Sequence, residues 1–115
     1  MKKAMALLAL LLCSACSVTE PVVVIEQGGR ILRGTVTATM SGGSFTVADG
    51  DLTCGGSYDS QDMSPTISMP VLCSDGRRGI VIATRDNSGR SGSGTVRMTD
   101  GTEGTFMFGP SAASF

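Results

Sequence analysis

The sequence predicts an all-β fold: a small antiparallel meander of seven to eight strands, closed as a barrel or folded as a sandwich, behind an N-terminal signal helix. Three observations carry this. Apolar and polar residues alternate with a period of two along ILRGTVTATM, as in a strand with one buried face. Sixteen glycines punctuate 115 residues, and Asp-Gly pairs fall where hairpins turn. Thr, Val and Ile are frequent past the first segment, while helix formers are scarce.

Each element follows from local pattern. Leu32, Val36, Ala38 and Met40 share one face, opposite Arg33, Thr35, Thr37 and Thr39. Ser41-Gly42-Gly43 supplies a turn, and Phe45 and Val47 point inward from GSFTVA. Asp49-Gly50 is a hairpin signal. Leu52, Cys54 and Tyr58 take the next inward face, and the polar residues 55–65 read as a loop. Ile67, Met69, Val71 and Cys73 lie on one face of TISMPVLC. Pro70 lies on the other and marks an edge strand or a bulge, because proline donates no ladder hydrogen bond.

Ser74-Asp75-Gly76 turns the chain, and Ile80 and Ile82 are the alternating apolar positions of GIVIAT. DNSGRSG (86–92) is a flexible loop. Val96 and Met98 face inward, Asp100-Gly101 turns, and Phe106 and Phe108 face inward. Residues 22–25 are either an added strand or the last of a linker, and 110–115 form a loose tail. The segments RGTVTATMSGGSFTV and SGTVRMTDGTEGTFMF echo one another, which is the common grammar of Gly-punctuated hairpins rather than a duplication.

The chain opens with MKKAMALLALLLCSACS. Lys2 and Lys3 form a basic start, and Ala4 to Leu12 form an apolar stretch too short to span a bilayer. Small residues then lead to Cys16. That order resembles the lipobox of bacterial lipoproteins, in which a peptidase cuts before a cysteine already carrying diacylglycerol. Ala15 fits the small residue before the cut, whereas Cys13 stands where the family usually has Leu. Plain secretion with a cut after Ala15 is the rival reading. The resemblance implies a signal peptide over 1–15, a lipidated N-terminus and linker over 16–21, and a β domain over 22–109. Two or more acyl chains on Cys16 give a stable membrane anchor. Ser17 stands where an Asp commonly retains Gram-negative lipoproteins at the inner membrane, so the resemblance implies an outer-membrane address.

Without residues 1–15 the chain keeps seven arginines against ten acids, a net charge of −3. A mildly acidic surface with no basic cluster excludes nucleic acid as a partner. A domain of this size buries only part of its surface, so a covalent staple helps it. With Cys16 acylated, Cys54 and Cys73 are an even pair in an oxidising compartment, and both lie on inward phases. A disulfide between them closes a loop of about 20 residues, worth roughly 3 kcal/mol in the chain-entropy model. Two cysteines and no His cannot make a four-ligand zinc site, and no CxxC spacing exists for thiol redox chemistry. No metal or cofactor is expected.

CGGSYDS, PVLCSDGRRG and RDNSGRSGSGTVRMTDG together resemble a group of small uncharacterised Gram-negative lipoproteins, in which a CxGxY stretch pairs with a CxDGRxG stretch. The resemblance covers roughly residues 43–109 and implies no activity.

Catalysis is limited by what is missing. The chain has no His, which excludes Ser-His-Asp and Cys-His nucleophiles. Past residue 3 it has no Lys, which excludes Schiff-base chemistry. No spacing among Asp49, Asp51, Asp59, Asp62, Asp75 and Glu103 singles out a carboxylate pair, so an enzyme is not expected.

Three features remain as candidate binding elements. Asp49, Asp51, Asp59 and Asp62 form an acid-rich group that lacks calcium-loop spacing and reads as turn residues. Arg77 and Arg78 follow a tight turn and offer guanidinium groups to an anion, although strand neighbours face opposite ways. Tyr58, with Asp59 and Asp62, sits in the 55–65 segment as a contact residue or as a cap on the core. The functional expectation is a non-enzymatic, lipid-anchored envelope protein whose β domain is a structural or binding module for an envelope protein. The alternative is a tethered inhibitor of a hydrolase such as a lysozyme or protease, using the 55–65 loop.

Overall fold

A computed structural model describes residues 17–115; the signal segment and Cys16 lie outside the described residues. Eight strands follow in order: β1 (Val18–Glu26), β2 (Ile31–Thr39), β3 (Gly42–Asp49), β4 (Leu52–Tyr58), β5 (Thr66–Cys73), β6 (Arg78–Arg85), β7 (Gly92–Met98) and β8 (Glu103–Phe108). Each pairs antiparallel with the next, and β8 returns to pair with β1, from Val22 opposite Phe108 to Glu26 opposite Gly104. The meander is therefore a closed barrel and not a sandwich. Closure leaves no row of unpaired backbone groups at an edge.

The inward phase of each strand builds the core. Val22, Val24, Leu32, Phe45, Val47, Leu52, Cys54, Ile67, Met69, Val71, Cys73, Val81, Ala83, Val96 and Phe106 form one buried cluster. Burial alternates residue by residue through β5, so TISMPVLC buries the four positions its pattern predicts. Small residues let the strands coil tightly. A Cβ on Gly34 of β2 would lie 1.7 Å from the Thr46 carbonyl oxygen, and one on Gly94 of β7 would lie 1.9 Å from that of Ile82. Inward glycines of this kind mark the sharp bends a small barrel requires.

Several expectations are corrected. Val81 and Ala83 are the buried residues of β6, while Ile80 and Ile82 are about 40% exposed. The run Ile-Val-Ile-Ala is apolar on both faces, so its period carries no phase. Register sets it instead, with Val81 opposite Met69 on β5 and Val96 on β7. Met40 is exposed in the β2–β3 turn, and Gly42 and Gly43 belong to β3. Residues 55–58 are strand, so the predicted 55–65 loop shrinks to 59–65. The strand β1 begins at Val18, inside the expected linker.

The tail is ordered rather than loose. Pro110–Ser114 forms a 3-10 turn with Ala112 buried. The Gly109 amide donates to the Pro21 carbonyl, and Arg33 donates through Nε and Nη2 to the Phe115 carbonyl, the Nε distance being 2.7 Å. The turn packs against β1. This accounts for Val23, which faces outward by phase yet is fully buried.

Pro70 is explained by the β4–β5 seam. Cys73 N–H donates to Arg77 O on the β6 side, and Ser74 N–H donates to Thr53 O on the β4 side. By alternation, position 70 directs its missing N–H at β4. Only Cys54–Cys73 and Gly55–Leu72 are paired across this seam, against five or more pairs at every other junction.

Candidate functional site

The alternating chain direction gives the barrel two unlike ends. One end carries the turns after β1, β3, β5 and β7. The other carries the turns after β2, β4 and β6, together with the start of β1 and the end of β8.

The first end is filled. Val24, Leu32, Phe45, Val47, Val71, Val81 and Val96 leave a crevice of only about 20 Å³ there. Arg77, just before β6, closes the opening with its side chain three-quarters buried. Its Nε lies 2.8 Å from Asp75 Oδ2, and its Nη atoms lie 3.7 Å from Glu26 and 3.8 Å from Asp100. The Asp75 hydrogen bond raises the Arg77 pKa further. Asp75 and Asp100 titrate below the ordinary carboxylate range, mainly because each accepts a backbone amide, from Arg77 and from Thr102. Arg77 is thus committed to three carboxylates and is not a free anion-binding group, which corrects the expectation for it. Arg78 is exposed on the outer face, so the two arginines do not converge.

The second end is open. A cavity of about 290 Å³ reaches into the barrel, walled by Val36, Ala38, Ile67, Met69, Ala83, Phe106 and Phe108. Its polar residues, Glu20, Tyr58, Ser60, Arg85, Ser88 and Arg90, come from strand ends and connecting loops near the rim. Phe106 is its floor. The ring packs edge-on against Phe45 with centroids 5.2 Å apart, and Phe45 belongs to the filled half. This aromatic pair divides the barrel.

Tyr58 is the last residue of β4 and forms part of the cavity wall, packing against the core cluster. Its ring lies across Gly43 on β3, where a Cβ would come within 2.3 Å of it. Burial pushes the phenol pKa up, with Arg85 acting in the opposite direction. Of the two readings for Tyr58, loop contact or cap on the core, its packing against the core cluster favours the second, and its place is the end of a strand rather than a loop. Asp59 and Asp62 do lie in the 59–65 loop, each accepting the amide two residues on, from Gln61 and Ser64. Asp75, Asp86 and Asp100 do the same for Arg77, Ser88 and Thr102. Asp49 and Asp51 sit at the filled end, where Asp49 pairs with Arg30 at 2.8 Å. The four acids of the acid-rich group are therefore split between opposite ends.

Sequence reasoning missed Arg85. It occupies the inward phase after Val81 and Ala83, but it follows a run whose phase was unreadable, and an inward arginine has no local mark. One Nη donates to the carbonyls of Asp62, at 2.7 Å, and Ser64. Glu20, on the inward phase of β1, is paired with Arg90 at 3.0 Å.

The fold and cavity define a small up-and-down β-barrel with one filled and one open end. No protein-family model matches the chain, and no curated protein does. Among solved structures it is similar to a de novo designed fluorescence-activating β-barrel, with a TM-score of 0.56 and 23% identity over 78% of this chain and 88% of that one. It is also similar to a redesigned β-barrel, with a TM-score of 0.56 and 12% identity over 79% and 87% of the two chains. At these identities the likeness is one of fold.

Proposed function

We propose that this chain is a non-enzymatic, lipid-anchored protein of the bacterial envelope, held at the outer membrane through Cys16, with the barrel as a binding module. The observation that carries the binding role is the half-filled barrel. A domain able to pack one end to a 20 Å³ crevice leaves about 290 Å³ open at the other, lined by aliphatic and aromatic side chains. Apolar concavities with a few polar groups at the rim are the usual form of a small-molecule site.

The anchor draws on MKKAMALLALLLCSACS and its likeness to a lipobox. The barrel itself suits water rather than lipid. Its core is apolar and its outer face carries Arg33, Thr35, Ser68 and Arg97, the reverse of a membrane-spanning barrel. The non-enzymatic reading rests on the missing His and on the Asp side chains being committed to turns. A tethered inhibitor would now depend on residues 59–65 alone, because 55–58 belong to β4.

Expression of the full chain in a Gram-negative host tests the anchor. Mass spectrometry should find an acylated cysteine at residue 16, and Cys16→Ser should leave the membrane fraction. A soluble wild-type protein with a free thiol there would refute it.

A further inference from the structure

The mouth cavity has a chemical polarity that narrows its guest, given the binding role above. Its depth offers no side chain with charge: Ala83 and Phe106 are buried, and Val36, Ile67, Met69 and Phe108 complete the wall. Two cations reach the rim from β6 and its following loop, Arg85 and Arg90. Arg90 is matched by Glu20. Arg85 makes no ion pair among the described residues, and both of its side-chain hydrogen bonds use one Nη atom. A guanidinium carries five N–H donors in a planar fork. The two carbonyl bonds leave the N–H groups of Nε and Nη1; because each side-by-side donor pair of a guanidinium includes the occupied Nη2, either one offers an anion a single charge-assisted hydrogen bond. Tyr58 stands beside it on the same rim as a hydroxyl donor.

We propose that the cavity binds a single-chain fatty acid, with the acyl chain in the apolar chamber and the carboxylate on Arg85. Size supports one chain. At about 290 Å³ the space lies at the lower end of ordinary ligand pockets, too small for a diacyl lipid. The aliphatic wall gains from burying an unbranched chain in proportion to the area removed from water. Of the two rim arginines, Arg85 is the one without an ion pair among the described residues, and it sets the end from which the chain enters.

The test uses the full chain carrying Cys16→Ser, so that no anchored lipid competes, titrated with the fluorescent fatty acid cis-parinaric acid. Its alcohol analogue and the neutral dye Nile red are run in parallel. Saturable, stoichiometric binding of the acid is expected, with the alcohol weaker. Arg85→Gln should weaken the acid by about tenfold or more while leaving the alcohol unchanged, since a hydrogen bond to a charged group is worth over 1.4 kcal/mol. Ala38→Phe, at a half-buried wall position, should exclude all three probes without unfolding the barrel. Ala83→Leu gives the same readout from the opposite wall if the first variant does not fold. If Nile red binds but the acid does not, or if Arg85→Gln affects acid and alcohol alike, the fatty-acid proposal fails and the binding module stands. If no probe saturates, both fail.

Discussion

Cys54 and Cys73 face each other across the weakest junction of the barrel. Their Cα atoms are 4.0 Å apart as directly opposed residues of β4 and β5, which share only two register pairs. The disulfide therefore reinforces a seam with few ladder hydrogen bonds, one of which is lost because Pro70 has no N–H to donate. Because both side chains point into the core, the bond also belongs to the packed half of the barrel.

Cys73→Ala should cost roughly 2–5 kcal/mol, the usual loss for a native disulfide in a small secreted domain. Denaturant melts measure it. Hydrogen exchange should accelerate first along β4 and β5, since local opening follows the fewest cross-links. Uniform acceleration over all eight strands would contradict a seam-specific role.

Tyr58 is half core and half rim, which two substitutions separate. Tyr58→Phe should change stability by less than about 1 kcal/mol, because the ring still covers Gly43. Tyr58→Ala should cost about 1–3 kcal/mol, below the range for a fully buried aromatic. A melting temperature unchanged in Tyr58→Ala would return the residue to the role of an exposed contact.

Arg77 closes the filled end, and its partners make that closure sensitive to acid. Asp75 and Asp100 have folded pKa values below the ordinary 3.8, so their contribution is complete above that value. It is lost as pH falls through the lower folded values. Melting temperature should drop in this acid window, and Arg77→Ala should flatten the dependence only in part, because the backbone amides of residue 77 and Thr102 still donate to Asp75 and Asp100. An acid slope identical in the variant would remove Arg77 from the account.

The phase of β6 is open to direct measurement. Ile80→Thr, on the outer face, should change stability by only about 0.5 kcal/mol. Val81→Ala, 1% exposed, should cost about 1–3 kcal/mol through the lost transfer energy and the cavity left behind. Reversal of that order would mean the strand faces the other way.

The C-terminal turn should behave as part of the domain. Deleting residues 110–115 uncovers Val23, which is 0% exposed in the intact chain, and removes the Arg33 contact. The truncated protein should melt lower and bind an apolar surface dye more strongly. An unchanged melting temperature would show that the turn only rests on β1.

The sequence by itself determined that there are strands from β2 onward, the Asp-Gly turns and the disulfide partners, but not the end of β4 at residues 55–58 or the exact β2–β3 turn. Each feature it determined is local: a period of two, an Asp-Gly pair, or two cysteines on inward phases. The tertiary structure alone decided the pairing of β1 with β8, and with it the choice of a barrel. That contact joins residues more than 70 positions apart, and no local signal encodes it. It also decided the phase of β6, because an all-apolar run takes its orientation from its neighbours. The locking of Arg77 and the unpaired rim position of Arg85 follow from the same non-local geometry. Two arginines alike in sequence are separated in role by which end of the closed sheet each one reaches, and by how many carboxylates the adjoining turns bring within range.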